Sequence, residues 1–242
     1  MKDLIRAEFL KMRTTRTVYG LFAVMLALVA FGVSTTTPQQ QVPPVEQEFL
    51  FMTGSIVWLF VLLLGLRSST DEFRYGTIVP ALLANPARGR MLLAKVAVVG
   101  TTAIVFFMCA YALALAIGIP RLGPEGAATD AATTAMASLL GKVALMSIAW
   151  AALGVAIGLA VRHQVAAIVG SVVWIMFIEA FMESYAGQVT RFLPVHATTA
   201  LVGPPNVGDL VLGALPGGLV LVGWAIAWVS VGAILMRRRD IA

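Results

Sequence analysis

Six apolar runs of 16 to 27 residues recur along this chain, and that length is what a bilayer demands. At 1.5 Å per helical residue, about twenty apolar residues cross roughly 30 Å of hydrocarbon. The runs are Val18–Val33, Phe49–Leu66, Met91–Ile117, Leu139–Val161, Val165–Glu183 and Leu215–Met236. Across all 242 residues, 60% are hydrophobic and 12% are charged, about half the charged share of an average soluble domain. A single all-α integral membrane domain with six transmembrane helices is therefore expected over residues 1–242.

Lysine and arginine then orient the spans. With both termini on the cytoplasmic side, 14 of the 17 basic residues face inward, from Lys2 to Arg16, Arg67 to Lys95, Arg162, and Arg237 to Arg239. Arg121, Arg191 and Lys142 remain on the outer side. The net charge of +5 thus sets topology and calls for no nucleic-acid partner. Cys109 is the one cysteine, so no intrachain disulfide can form. The first apolar run follows a long charged stretch and has no small-x-small cleavage site after it, so it is read as a retained span.

Residues 1–17 begin with alternating charged and apolar positions. Ile5, Phe9 and Met12 fall at i, i+4 and i+7, on one helical face. A basic amphipathic helix lying in the membrane interface is expected; a disordered basic tail is the alternative.

The most polar segment, DEFRYGTIVPALLANPARGR at 71–90, belongs to the cytoplasmic loop 67–90. Gly76 can close a helical turn in the left-handed conformation. Thr77 suits an N-cap, and Pro80 falls in the first turn, where its missing N–H costs nothing. Ile78, Val79, Leu82 and Leu83 give the short helix an apolar side. Asn85-Pro86 repeats the signal and opens a helix through Arg88, Arg90 and Lys95, whose cations are expected at the lipid headgroups. The alternative is a plain connector with positive-inside charge.

The residue order Glu72, Arg74, Gly76-Thr77, Leu82-Leu83, Pro86, Arg88, Arg90 and Lys95 resembles that of the type-2 permeases of ATP-binding-cassette (ABC) transporters. The opening RAEFLKMRTTRT, residues 6–17, is similar to the start of many actinobacterial members. The resemblance implies a type V exporter fold in a bacterial plasma membrane, with a re-entrant segment over 184–214 before the last span. It also implies a coupling helix in the loop after the second span, docked on a separate ATP-binding subunit. The implied assembly pairs two permeases, identical or paralogous, with two ATPases. Asp71, Glu72, Phe73, Arg74, Tyr75, Gly76 and Thr77 are then the ATPase-coupling residues. Charged residues such as Glu72 and Arg74 would set register, and Phe73 and Tyr75 would anchor the contact.

The chain itself lacks G-x-x-x-x-G-K-[ST]. Gly141-Lys142 is preceded by Met136 where the first glycine belongs and followed by Val143. No cofactor is expected here; ATP and magnesium belong to the partner.

Lys142, Glu179 and Glu183 are candidates for the outer translocation pathway, because ionisable groups at that depth are costly. Glu179 and Glu183, four apart, share a face, and Lys142 lies at a depth where it could pair. The alternative is that all three snorkel to water. His163 and His196 are expected on opposite sides, which leaves no metal cluster and no intramembrane hydrolase dyad. Gly154 and Gly158 form G-x-x-x-G, which permits close helix packing.

Three other functional classes compete with this one. A secondary transporter would commonly show an internal repeat, and none is visible. An intramembrane hydrolase lacks its histidine. A non-transporting immunity or scaffold protein stays open, as does the substrate, with drug-like, lipid and peptide cargo all compatible.

Overall fold

The computed structural model describes residues 1–35, 45–84, 87–118, 120, 132–185, 187–203 and 212–238. Among them no strand occurs, and helices account for nearly every residue. In chain order these are α1 (Lys2–Thr14), α2 (Arg16–Thr35), α3 (Val45–Arg74), α4 (Ile78–Ala84), α5 (Arg88–Gly118) and α6 (Ala132–Val161). Then come α7 (Gln164–Val173), a π-helical turn (Trp174–Glu179), α8 (Ala180–Tyr185), α9 (Gly187–Thr190), α10 (Pro194–Val202) and α11 (Ala214–Arg238).

Five stretches of the described residues are long and apolar enough to cross a membrane: Arg16–Thr35, Arg88–Gly118, Leu140–Val161, Gln164–Tyr185 and Ala214–Met236. The remaining expected run, Phe49–Leu66, lies within the thirty-residue α3. The protein is a multi-pass membrane protein. Pro38, Pro43, Arg121, Asn85-Pro86, Pro204 and Arg239 lie outside the described residues.

α3 and α6 form the centre, with the most extensive contact of any helix pair. Glycine makes that approach possible. A Cβ on Gly65 would stand 2.8 Å from the Ala151 carbonyl oxygen, and one on Gly158 would stand 2.8 Å from that of Leu66. A Cβ on Gly154 would collide with the Leu62 carbonyl. The G-x-x-x-G of α6 is thus a seam within the chain, where backbones touch because no side chain intervenes. Around the seam, Val57, Val61, Leu62, Leu64, Leu66, Met146, Trp150 and Val155 are buried, and Trp58 stacks on Trp150 with ring centroids 4.6 Å apart.

Long-range contacts define one charged end of the bundle. There the Arg74 guanidinium donates to the Gln164 Oε1 at 2.8 Å, and Arg88 donates to the Met236 carbonyl. The end of α3, the starts of α5 and α7 and the end of α11 therefore meet at one level, and α1 joins them through Glu8 and Lys11. Between α6 and α7, Arg162 turns the chain at φ 61°, and the His163 Nδ1 accepts from the Ala166 N–H at 3.2 Å to cap α7.

At the other end, α10 is packed into the bundle between α6 and α11, with Ala197, Thr198 and Leu201 buried. The Trp150 indole donates to the Thr198 hydroxyl at 2.9 Å. Trp150 precedes the end of α6 by three helical turns, about 16 Å, so α10 reaches well down from the far end. Gly217 of α11 allows this, because a Cβ there would lie 2.6 Å from that of Ala200.

Candidate functional site

α3 extends beyond the apolar Phe49–Leu66 as a helix to Arg74, and Gly76 ends it at φ 66°. The short helix α4 follows directly, with Pro80 in its first turn and the Ala81 N–H bonded to the Thr77 carbonyl at 3.2 Å. The short helix legible in 71–90 is present. Its inner side is Ile78, which is buried, with Leu82 packed on the core. On its outer side Val79 and Leu83, one turn apart, are 41% and 80% exposed, and Tyr75, in the turn before the helix, is 66% exposed.

Behind that helix lies a cluster of four charges. Lys95 is 1% exposed and spends all three ammonium protons, on Glu8 Oε2 at 3.0 Å, Glu72 Oε1 at 2.8 Å and the Ser68 carbonyl at 3.0 Å. Lys11 reaches Glu8 Oε1 and Glu72 Oε1, both at 2.7 Å. Two carboxylates and two ammoniums cancel. Isolated, any one of them would be prohibitively costly to bury; paired and hydrogen-bonded, they hold α1, α3 and α5 in one register. Burial pushes the Glu8 carboxyl up, but Lys95 and Lys11 outweigh it and hold the group below its ordinary value. Burial opposes charge on Lys11 too, and its bonds to Glu72 and Glu8 raise it above its ordinary value.

This cluster revises two expectations. Lys95 is not at the headgroups; it is sealed inside. Glu72 faces inward as well, where α1 and α5 supply its partners. The remaining coupling candidates spread around the end of α3. Asp71 pairs with Arg67 at 3.0 Å. Phe73 packs on the core, with the Arg162 guanidinium 5.3 Å from its ring centre. Arg74, Tyr75, Gly76 and Thr77 are exposed. α1 also shows an unexpected face: Ile5 and Phe9 are exposed, while Glu8 and Met12 are buried. A crevice of about 320 Å³ runs beside the cluster, lined in part by Thr17, Arg67, Tyr75 and Thr77.

At the other end, Glu179 is 2% exposed. Its Oε2 accepts from the Val195 N–H at 3.2 Å and stands 3.8 Å from His196 Nδ1. Glu183 Oε1 stands 3.8 Å from the other ring nitrogen. The two acids do converge, on His196 and not on Lys142, which forms no ion pair with either among the described residues. The Glu179 carboxylate foremost, with Glu183 beside it, raises the His196 pKa above its ordinary value against the cost of burial. No group of three metal-ligating side chains occurs among the described residues.

Residues 4–178 match the family described as ABC-2 family transporter protein. This chain belongs to the ABC-2 transporter family. The match spans the amphipathic helix, the charged cluster and both sides of the α3–α6 seam. No curated protein matches the chain. The family assignment makes this protein the transmembrane permease type of ABC component, of a family whose ATP hydrolysis generally lies in separate subunits.

In this ABC-2 permease, the sequence pattern does not single out Glu8, nor the pairing of His196 with Glu179 and Glu183. Glu8 carried one signal, an acid on the buried side of a basic helix. His196 carried none, because its partners lie on a different helix.

Proposed function

We propose that the chain is the pathway-forming subunit of an ABC exporter and couples to a separate ATP-binding subunit through the loop 67–90. The observation that carries this is the exposed apolar stripe of Val79 and Leu83 on α4, with the exposed Tyr75 in the turn before it, at the charged end of the bundle. Large apolar residues at the most polar end of a membrane protein leave an uncovered surface that fits a protein partner. Arg74 flanks the stripe, and a charge at the rim of such a contact tunes partner choice and encounter rate.

The buried cluster gives the stripe mechanical meaning. Displacement of α4 by a motor reaches α3 and α5 through a few residues, and Lys95 and Glu72 bind those helices to each other and to α1. A push at the loop is thereby delivered to the α3–α6 centre instead of being lost in local bending. In this reading six spans cross a bacterial plasma membrane with both termini in the cytoplasm. Two permease copies, identical or paralogous, form the path, α9 and α10 form the re-entrant element on the outer side, and ATP and magnesium are bound by the partner.

The test is co-purification with the ATP-binding subunit encoded nearest to this chain. Leu83→Asp places a charge at the most exposed position of the stripe, away from the buried cluster, and is expected to reduce recovery of the ATPase by about tenfold or more. The reading fails if the variant retains the ATPase and its full stimulation by the permease.

A further inference from the structure

A cavity of about 270 Å³ lies between α3, α6, α7, α10 and α11. Its walls are almost wholly apolar, and four of the five tryptophans of the chain line it: Trp150, Trp174, Trp224 and Trp228. The one acidic group in its wall is Glu179. That carboxylate is buried, its Oε2 is held by the Val195 N–H, and its Oε1 is buried with no hydrogen-bond partner among the described residues.

The π-helical turn is what joins these features. In an α-helix, residues five apart stand about 140° from one another around the axis. A π-turn closes its hydrogen bonds at i+5, so its first and last residues come onto nearly the same side. Trp174 and Glu179 are the two ends of this turn, and both face the cavity. Single π-turns within α-helices frequently mark functional positions. A regular helix here would have turned one of the two away.

A pocket of aromatic faces around one underbonded carboxylate has a defined chemical complement. Indole faces attract cations, most strongly when water is excluded. The free oxygen offers the cavity the acceptor side of a carboxylate, while His196 stands 3.8 Å from the opposite oxygen, beyond hydrogen-bond distance. An anion would be repelled, and a neutral apolar molecule would leave that oxygen stripped of water and unpaired. We propose that this cavity is a binding site for a hydrophobic organic monocation, such as a quaternary ammonium or phosphonium compound. The proposal rests on the permease reading and names the cargo class that its pathway takes.

Tetraphenylphosphonium and tetraphenylborate nearly match in shape and differ in the sign of their charge, so they separate charge recognition from greasiness. Binding of each is measured by equilibrium dialysis against the purified full chain in lipid nanodiscs, with empty discs as the reference for partitioning. The expected result is saturable binding of the phosphonium and none of the borate above the empty discs. Glu179→Gln keeps an oxygen for the Val195 N–H and is expected to weaken the phosphonium at least about tenfold. Trp228→Leu is expected to weaken it by about threefold to tenfold, and Trp228→Phe by less. Equal binding of both ions, unchanged affinity in Glu179→Gln, or no saturable phosphonium binding by an intact chain each overturns the proposal. The assay needs no ATPase, so a failed coupling reading and a failed cation site are told apart.

Discussion

The two ends of the bundle both bury a glutamate, and they treat it in opposite ways. At the charged end, Glu8 and Glu72 are matched by Lys11 and Lys95, and every proton of Lys95 has an acceptor. At the far end, Glu179 has one oxygen held by a backbone amide and a histidine, and the other has no hydrogen-bond partner among the described residues. The first arrangement is neutral, two carboxylates against two ammoniums, which suits a fixed joint between helices, although Glu72 Oε2 too has no hydrogen-bond partner among the described residues. The second is open toward a cavity, which suits a visitor. The contrast teaches that a buried charge in a membrane protein is read by the opposite charges around it and by the space it faces.

Breaking the closed end has the largest expected effect. Lys95→Met removes the ammonium and leaves Glu8 and Glu72 facing each other with Lys11 alone. Removal of one partner from a buried ion pair costs about 3–5 kcal/mol. The expected outcome is a clear loss of thermal stability, with α1 becoming accessible to protease. A variant as stable as the parent would show that the cluster is not a joint.

The ends also differ in their response to pH. The raised pKa of His196 means that its contact with Glu179 and Glu183 is fully in place below the ordinary value of 6.5. That stabilisation is lost as pH rises through the higher folded value. The charged end behaves otherwise. Glu8 is lowered from 4.5, so its contribution is complete above 4.5 and lost only as pH falls through its folded value. Lys11 is raised from 10.5, so its contribution persists up to that pH. Thermal unfolding between pH 6 and 9 is expected to show a drop of a few degrees, roughly the shift of a 1 kcal/mol change. His196→Gln is expected to abolish that drop, and Lys11→Ala to leave it intact.

The smallest effect sharpens the account of the closed end itself. Lys11 is half exposed, so water screens it and its removal is expected to cost at most about 1 kcal/mol. A loss in Lys11→Ala as large as that in Lys95→Met would mean that both cations are equally shielded, which the burial of Lys95 alone argues against.

Local pattern made the helices and the loop legible. Gly76, Thr77 and Pro80 announce α4 because turn closure and capping depend on neighbours within a few residues. Basic residues gathered at one end for the same reason: their positions between apolar runs can be counted along the chain. The contacts of Lys95 were misread because, taken alone, it is one more cation near a span end. Its partners are 23 and 87 residues away, and no periodicity encodes them. The G-x-x-x-G of α6 promised a close contact but could not say that α3 supplies it.

What the sequence alone determined is the solvent and the scaffold: a membrane, long apolar helices, a polar helix-bearing loop and the end at which charge collects. These follow from hydrophobic length and local backbone chemistry. Only the tertiary structure decided which charges are sealed in pairs, that Glu179 meets His196, and that a π-turn brings Trp174 and Glu179 to one cavity. Those outcomes depend on helix crossings, where distant residues meet because small side chains let backbones approach, and that geometry is not written in any single stretch.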